Sequence, residues 1–341
     1  MKFLITGGLG FIGSNLSKSI LEKKYELYIL DNLSRVGSKD NLKWLNKKGK
    51  FKFYNTDIRN YNEICKIIKK LKPKIIFHLA GQVAMTTSII DPKKDFEINT
   101  LGSVNILEAV RKFSPKTIII FSSTNKVYGE LKHLNYVEKK TRYNLQKSPL
   151  DINENIKLDF QSPYGCSKGA ADQYMLDYAR NYNLRTIVFR HSTVFGTRQF
   201  STYEQGWVGW FIKEAILYKK KSKISFLTIS GNGKQVRDIL FISDLINCYF
   251  LAIKNYKKCI GNSYNIGGGI KNSLSILELF NILEKELDIK IKFKKKPWRN
   301  NDQKYFVANI NKAKKDFSWI PKIDKLSGIK KMIEWTNSSL G

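Results

Sequence analysis

Apolar runs recur along the first half of the chain: KFLIT at 2–6, ELYIL at 26–30, KFKFY at 50–54, KIIFHLA at 74–80, TIIIFSS at 117–123 and RTIVFRHS at 185–192. Each is short and rich in Ile, Phe or Tyr, and stretches of helical character separate them. Strands apolar on both faces, with helices between them, form parallel sheets covered on both sides. The pattern therefore predicts an α/β doubly wound parallel sheet over residues 1–190. Past 191 the pieces shorten: FLTIS at 226–230, a helix near 243–255, SYNIG at 263–267, SILELFNILEKEL at 275–287 and a last helix near 325–337. These predict a smaller α+β substrate-binding domain over 191–341, with some chain crossing back to the sheet. The Lys-rich stretches KKKSK (219–223) and KFKKK (292–296) read as exposed edges beside strands. No internal repeat is present, and no pattern assigns the segment 130–160.

Directly after the first strand comes Gly7-Gly8-Leu9-Gly10-Phe11-Ile12-Gly13, opening a helix through Ser14 and Leu16. Glycines so spaced let the turn tighten, let backbone approach a pyrophosphate and let the helix pack on the strand, while the helix N-terminus favours negative charge. An ordinary tight turn would use the same residues, so the context matters. The second strand ends in Asp31, whose carboxylate can accept from ribose hydroxyls and repel a 2′-phosphate, so NAD is expected over NADP despite nearby Arg35. Asp57-Ile58 follows the third strand, where a short acid can bond an adenine amino group. Leu79-Ala80-Gly81 closes the fourth beside the pyrophosphate. The sheet is expected to be a Rossmann-type NAD-binding domain.

The 341 residues, 42% of them hydrophobic, can bury a large core, and no run approaches the roughly 18 to 20 apolar residues that span a bilayer. The glycines at 7–13 interrupt the apolar N-terminus, so no signal peptide is expected. Cys65, Cys166, Cys248 and Cys259 form no CxxC pair, which predicts reduced thiols, a cytoplasmic protein and no metal site. The net charge of +31 would suit nucleic acid, an anionic membrane or a small anionic ligand. Of the 60 cations only 10 are Arg, the side chain whose fork reads phosphates and base edges, and no RNP-like, KH or zinc-finger pattern occurs. A nucleic-acid-binding protein on a nucleotide fold is thus the weaker class, and the excess reads as background around an anionic-ligand site.

Tyr164-Gly165-Cys166-Ser167-Lys168 places a phenol and an ammonium on one helix face. An ammonium there is expected to lower the phenol pKa from its usual value of about 10, making Tyr164 a base for a sugar hydroxyl. Ser122-Ser123-Thr124 ends the fifth strand, where ligands bind in an open α/β sheet, and the Thr124 hydroxyl can bond the same substrate oxygen.

TGGLGFIG, HLAG, SSTNKVYG, YGCSK and KQVRDILFISD, in this order across nearly the whole length, resemble the NAD-dependent sugar epimerase/dehydratase family of the extended short-chain dehydrogenase/reductases. The runs at 123–129, 162–180, 205–211 and 230–238 resemble the family's 2-epimerases of CDP-3,6-dideoxyhexoses. The resemblance implies Thr124, Tyr164 and Lys168 as the catalytic triad. It implies NAD held by Gly7, Gly10, Phe11, Ile12, Gly13, Asp31, Asn32, Ser34, Arg35, Asp57, Ile58, Leu79, Ala80, Gln82, Asn99, Tyr164, Lys168 and His191. It also implies a nucleotide-sugar substrate, with CDP favoured, held by Thr124, Asn125, Thr193, Gln205, Gly206, Val208, Arg237 and Arg299. Arg237 and Arg299 would clamp the diphosphate, the alternative being ion pairs with Asp238 or Asp302. Trp207 and Trp210 would either stack on cytosine or form one face of a core helix, and His191 would either approach the nicotinamide or be a satisfied structural imidazole. Asn125 and Lys126 stand where 4,6-dehydratases carry an Asp-Glu pair, which argues against dehydration. Arg190-His191-Ser192-Thr193 replaces a common Arg-Tyr-Phe-Asn, which weakens a UDP-sugar reading. The enzymatic alternative is a UDP-hexose 4-epimerase using the same triad. A homodimer or homotetramer, pairing through helices near 91–113 and 162–181, and a place in lipopolysaccharide O-antigen biosynthesis are further implications.

Overall fold

The computed structural model describes residues 1–147, 150–220 and 225–340. Seven parallel strands form one sheet in the order Asn262–Ile266, Arg185–His191, Ile118–Thr124, Ile75–His78, Lys2–Thr6, Glu26–Asp31, Lys52–Asn55. Phe3, Ile5, Phe77, Ile120, Ile187 and Phe189 face one buried layer, and Leu4, Ile76, Ile119, Phe121 and Val188 the other. This two-sided burial is why the strands read as unbroken apolar runs. Helices Tyr61–Leu71, Gly102–Phe113 and Ser162–Tyr182 cover the second layer.

The seventh strand is SYNIG, chain from beyond 191 that crosses back to the sheet. Asn262–Ile266 pairs with Arg185–His191 along its whole length, and Tyr264 packs edge-on against Phe189 and Phe317. The helix Ile242–Lys254 likewise returns to the sheet, with Tyr249 stacked on Phe189 at 5.6 Å. Burying the outer flank of Arg185–His191 requires both elements, although they lie far along the chain from it.

The remaining chain builds a cap over the C-terminal ends of the strands. Val236–Phe241 pairs with Thr193–Phe195, Ser273–Ser275 and Tyr305–Phe306. Leu227–Ser230 pairs with Phe293–Lys296, so KFKKK is itself a strand, its residues 293–296 exposed; positions 221–223 of KKKSK lie outside the described residues. The unassigned stretch 130–160 contains a short hairpin, Tyr136–Glu138 with Tyr143–Leu145, and packs Leu131, Leu145 and Ile152 onto Val236 and Phe306. No described helix is long and apolar enough to cross a membrane.

Candidate active site

The glycine loop closes tightly at the head of helix Phe11–Glu22. Gly10 N–H donates to the Gly7 carbonyl at 3.2 Å. Gly7 has φ +71°, and a Cβ there would lie 2.7 Å from the Ala80 nitrogen, while one on Gly13 would run into the Gly7 carbonyl. Gly10 caps the helix with no side-chain bond, leaving N–H groups free to face an anion. This cradle, with Phe11 and Ile12 beyond it, fits a dinucleotide pyrophosphate. Asp31 beside it is buried and accepts from Leu9 N (3.0 Å) and Leu33 N (2.8 Å), which leaves lone pairs for ribose hydroxyls. Asn32, Ser34 and Arg35 follow in an exposed turn.

Asp57 and Ile58 have partners within the chain. Both oxygens of Asp57 are taken by Arg59 (3.0 Å each), and Asn32 adds a bond at 2.8 Å, holding the acid below the usual carboxylate range although burial pulls it up. The Ile58 carbonyl accepts from Asn105 at 3.0 Å. Asn99 is a buried strut: its amide joins Gln82, in the loop after Leu79 and Ala80, to Ser167 in the Tyr164 helix.

Tyr164 stands in the first turn of Ser162–Tyr182, with Pro163 setting the entry, and its phenol faces Thr124 at the end of the fifth strand. One turn on, Lys168 Nζ donates to the Ser122 carbonyl at 2.5 Å and lies 4.2 Å from the Phe121 ring centre. Thr124, Tyr164 and Lys168 all come to the end of the fifth strand, but the expected lowering of the phenol's pKa is not seen. Burial pushes Tyr164 up to about 12, with Thr124 opposing and Asp95 adding. Burial pulls Lys168 down to about 7, against Asp172 and Asp95. Lys168 gives one of its three N–H donors to Ser122, and the burial of each group outweighs their mutual effect.

His191 is a buried imidazole with two partners. Nδ1 meets Ser122 Oγ at 3.0 Å and Nε2 meets the Tyr249 hydroxyl at 3.4 Å, so it is the satisfied structural imidazole. Burial, with Lys168 adding, pushes it down to about 3, as it does buried His78 between Thr6 and Ser103. Below pH 6.5 the unfolded chain protonates both rings while the folded one refuses, so each costs roughly 1.4 kcal/mol of stability per unit until pH 3. Imidazole 15N NMR is expected to find both neutral from pH 8 to 4.5; protonation of either above pH 5 would contradict this burial.

Above the triad lies a cavity of about 250 Å³ lined by Tyr164, Gln205, Gly206, Arg237 and Arg299, as expected, and by Trp207 and Trp210. A larger surface groove of about 710 Å³, between helices Phe11–Glu22, Ile242–Lys254 and Lys325–Leu340, contains none of the triad. Arg237 pairs with Asp302 at 2.8 Å, the ion pair weighed from sequence, but buried rather than on the surface. Arg299 lies over the Tyr203 ring at 4.8 Å and donates to its carbonyl. Three expected substrate residues have these surroundings in the chain. Asn125 is buried with its amide on Gln303, Val208 is in the hydrophobic core, and Thr193 accepts from Trp207 Nε1 at 3.3 Å. Sequence reasoning missed Lys126, Tyr203 and Asp302 on the wall. Among the described residues no group of three or more His, Cys, Asp or Glu could hold a metal ion.

The family profile described as GDP-mannose 4,6 dehydratase matches residues 4–332. A CDP-paratose 2-epimerase of Salmonella typhi is 54% identical over 338 residues, covering 99% of this chain and 100% of that one. The chain belongs to the sugar epimerase/dehydratase family of short-chain dehydrogenase/reductases. Among solved structures of the family, UDP-glucose 4-epimerase of Thermotoga maritima with UDP-glucose superposes with a TM-score of 0.83 at 30% identity, covering 100% of both chains. UDP-glucuronic acid 4-epimerase of Bacillus cereus, in complex with UDP-glucuronic acid and NAD, gives 0.85 at 26% identity over 99% of this chain and 100% of that one. Family membership makes sense of a glycine cradle and a Tyr/Lys pair meeting at one sheet edge.

Proposed function

We propose that this chain is an NAD-dependent epimerase that inverts C2 of CDP-paratose, giving CDP-tyvelose through a transient 2-keto sugar. The observation that carries the reading is that Tyr164 opens into the same cleft as Arg237 and Arg299, in a chain 54% identical over its length to a CDP-paratose 2-epimerase. The Gly7–Gly13 cradle and Asp31 would hold NAD, which when bound would supply a hydride acceptor and donor for C2 and a positive charge. Tyr164 takes the C2 hydroxyl proton and gives it back after the sugar turns, so no external redox partner is consumed. Thr124 bonds the reacting oxygen, and Lys168 holds the nicotinamide ribose. Burial pushes the phenol up to about 12, and a cationic cofactor held beside it would lower it. Arg237 and Arg299 hold the diphosphate, which converts remote binding energy into sugar placement.

The reading extends to a division of labour between an NAD-binding part, 1–190, and a mainly sugar-nucleotide-binding part, 191–341. Exposed Phe96, Leu101, Tyr174 and Tyr182 support pairing of copies through the helices near 91–113 and 162–181. The four free thiols suit a cytoplasmic setting, and O-antigen assembly would consume the product. Proton NMR of CDP-paratose with the purified protein and no added NAD is expected to show inversion at C2. Inversion at C4 of a UDP-hexose, with none at C2, would favour the 4-epimerase reading instead.

A further inference from the structure

Lys126 is a cation of the cleft that the mechanism above leaves unused. It stands two positions past Thr124, and its backbone N–H donates to Thr124 Oγ1 at 3.2 Å, so its main chain is tied to the triad. Its side chain is 18% exposed and lines the cleft with Tyr164 and Arg237. Its ammonium meets Asp302 Oδ1 at 3.2 Å, the same oxygen that Arg237 Nη2 holds at 2.8 Å. Burial pulls the ammonium's pKa down despite that partner. Two cations thus converge on one anionic oxygen in the cleft wall, and a phosphoryl oxygen offers them the same charge and acceptor geometry.

The position bears on which sugar carbon meets Tyr164. C2 is bonded to the anomeric carbon that carries the diphosphate, whereas C4 lies across the ring. Placing C2 at Tyr164 therefore brings the β-phosphate nearer to Thr124 than placing C4 there would. A cation rooted beside Thr124 suits the first arrangement.

We propose that Lys126 is a β-phosphate ligand that exchanges Asp302 for the incoming substrate and so seats C2, rather than C4, against Tyr164. This rests on the C2-epimerase reading for its sugar, but its test reads the phosphate alone. Calorimetry on the NAD-loaded protein would compare CMP with CDP, for wild type and Lys126→Gln. CMP affinity is expected to stay within about twofold, while CDP affinity falls about 10- to 100-fold, as for loss of one charge-assisted contact. The preference for CDP over CMP then collapses, and turnover of CDP-paratose falls by at least the same factor. An unchanged preference, including one in which both affinities fall together, would overturn the proposal. Should the protein fail to invert CDP-paratose, the same comparison with UDP and UMP still reads the phosphate contact, so the two failures are distinguishable.

Discussion

Tyr164→Phe is expected to lower kcat for C2 inversion by about 10³-fold while the protein still folds and retains NAD. The ring stays in place, since only the hydroxyl that faces Thr124 is removed, and even a buried hydrogen bond is worth only about 1 kcal/mol. What is lost is the group that carries the C2 proton in both halves of the reaction. The neighbours cannot replace it: Lys168 is turned to the Ser122 carbonyl, and His191 is held neutral between Ser122 and Tyr249. Turnover by NMR, with bound NAD measured by absorbance, checks this. A kcat within tenfold of wild type would place the proton carrier elsewhere.

Asp172→Ala is expected to cost about 3–5 kcal/mol of stability, the usual penalty for stranding a buried charge. Asp172 is fully buried and accepts from Arg190 Nε (3.0 Å) and Nη2 (2.9 Å) and from Ser123 Oγ (2.7 Å). Without it the Arg190 guanidinium, itself buried, keeps only the Tyr128 hydroxyl among its side-chain partners. Urea unfolding reads the loss. The double variant Asp172→Leu/Arg190→Met is expected to recover most of it, because apolar partners of similar volume leave no unpaired charge. Equal losses in the single and double variants would contradict this. The pair also braces Ser123 immediately before Thr124, so it links the stability of the sheet to the placement of the triad.

The sheet was legible because parallel strands buried on both faces must be apolar throughout, and runs such as TIIIFSS have no other easy reading. The place of Asn262–Ile266 in the sheet was not legible because it depends on Phe189 and Phe317, contacts that no local pattern records. The glycine cradle and the Tyr164/Lys168 spacing were legible because loop closure and helix periodicity are local. The charge states were not. Whether an ammonium lowers a phenol's pKa depends on where each points and how much water reaches it, and here Lys168 turns to Ser122 while burial dominates. The partners of Asp57 and His191, Arg59 and Tyr249, were not legible for a related reason: side-chain direction decides them. Lys126 was visible only as the absence of a dehydratase acid. Its meeting with Asp302 and Arg237 brings together positions far apart in the chain.

The central claim is that a hydrogen leaves C2 of CDP-paratose and returns to the same carbon from the other side, within one site. Incubating the purified protein with CDP-paratose in D₂O, with no added NAD, and following the sugar by proton NMR tests it directly. Internal transfer predicts CDP-tyvelose that keeps its original hydrogen at C2. Solvent deuterium at C2, or inversion at another carbon, would contradict the account.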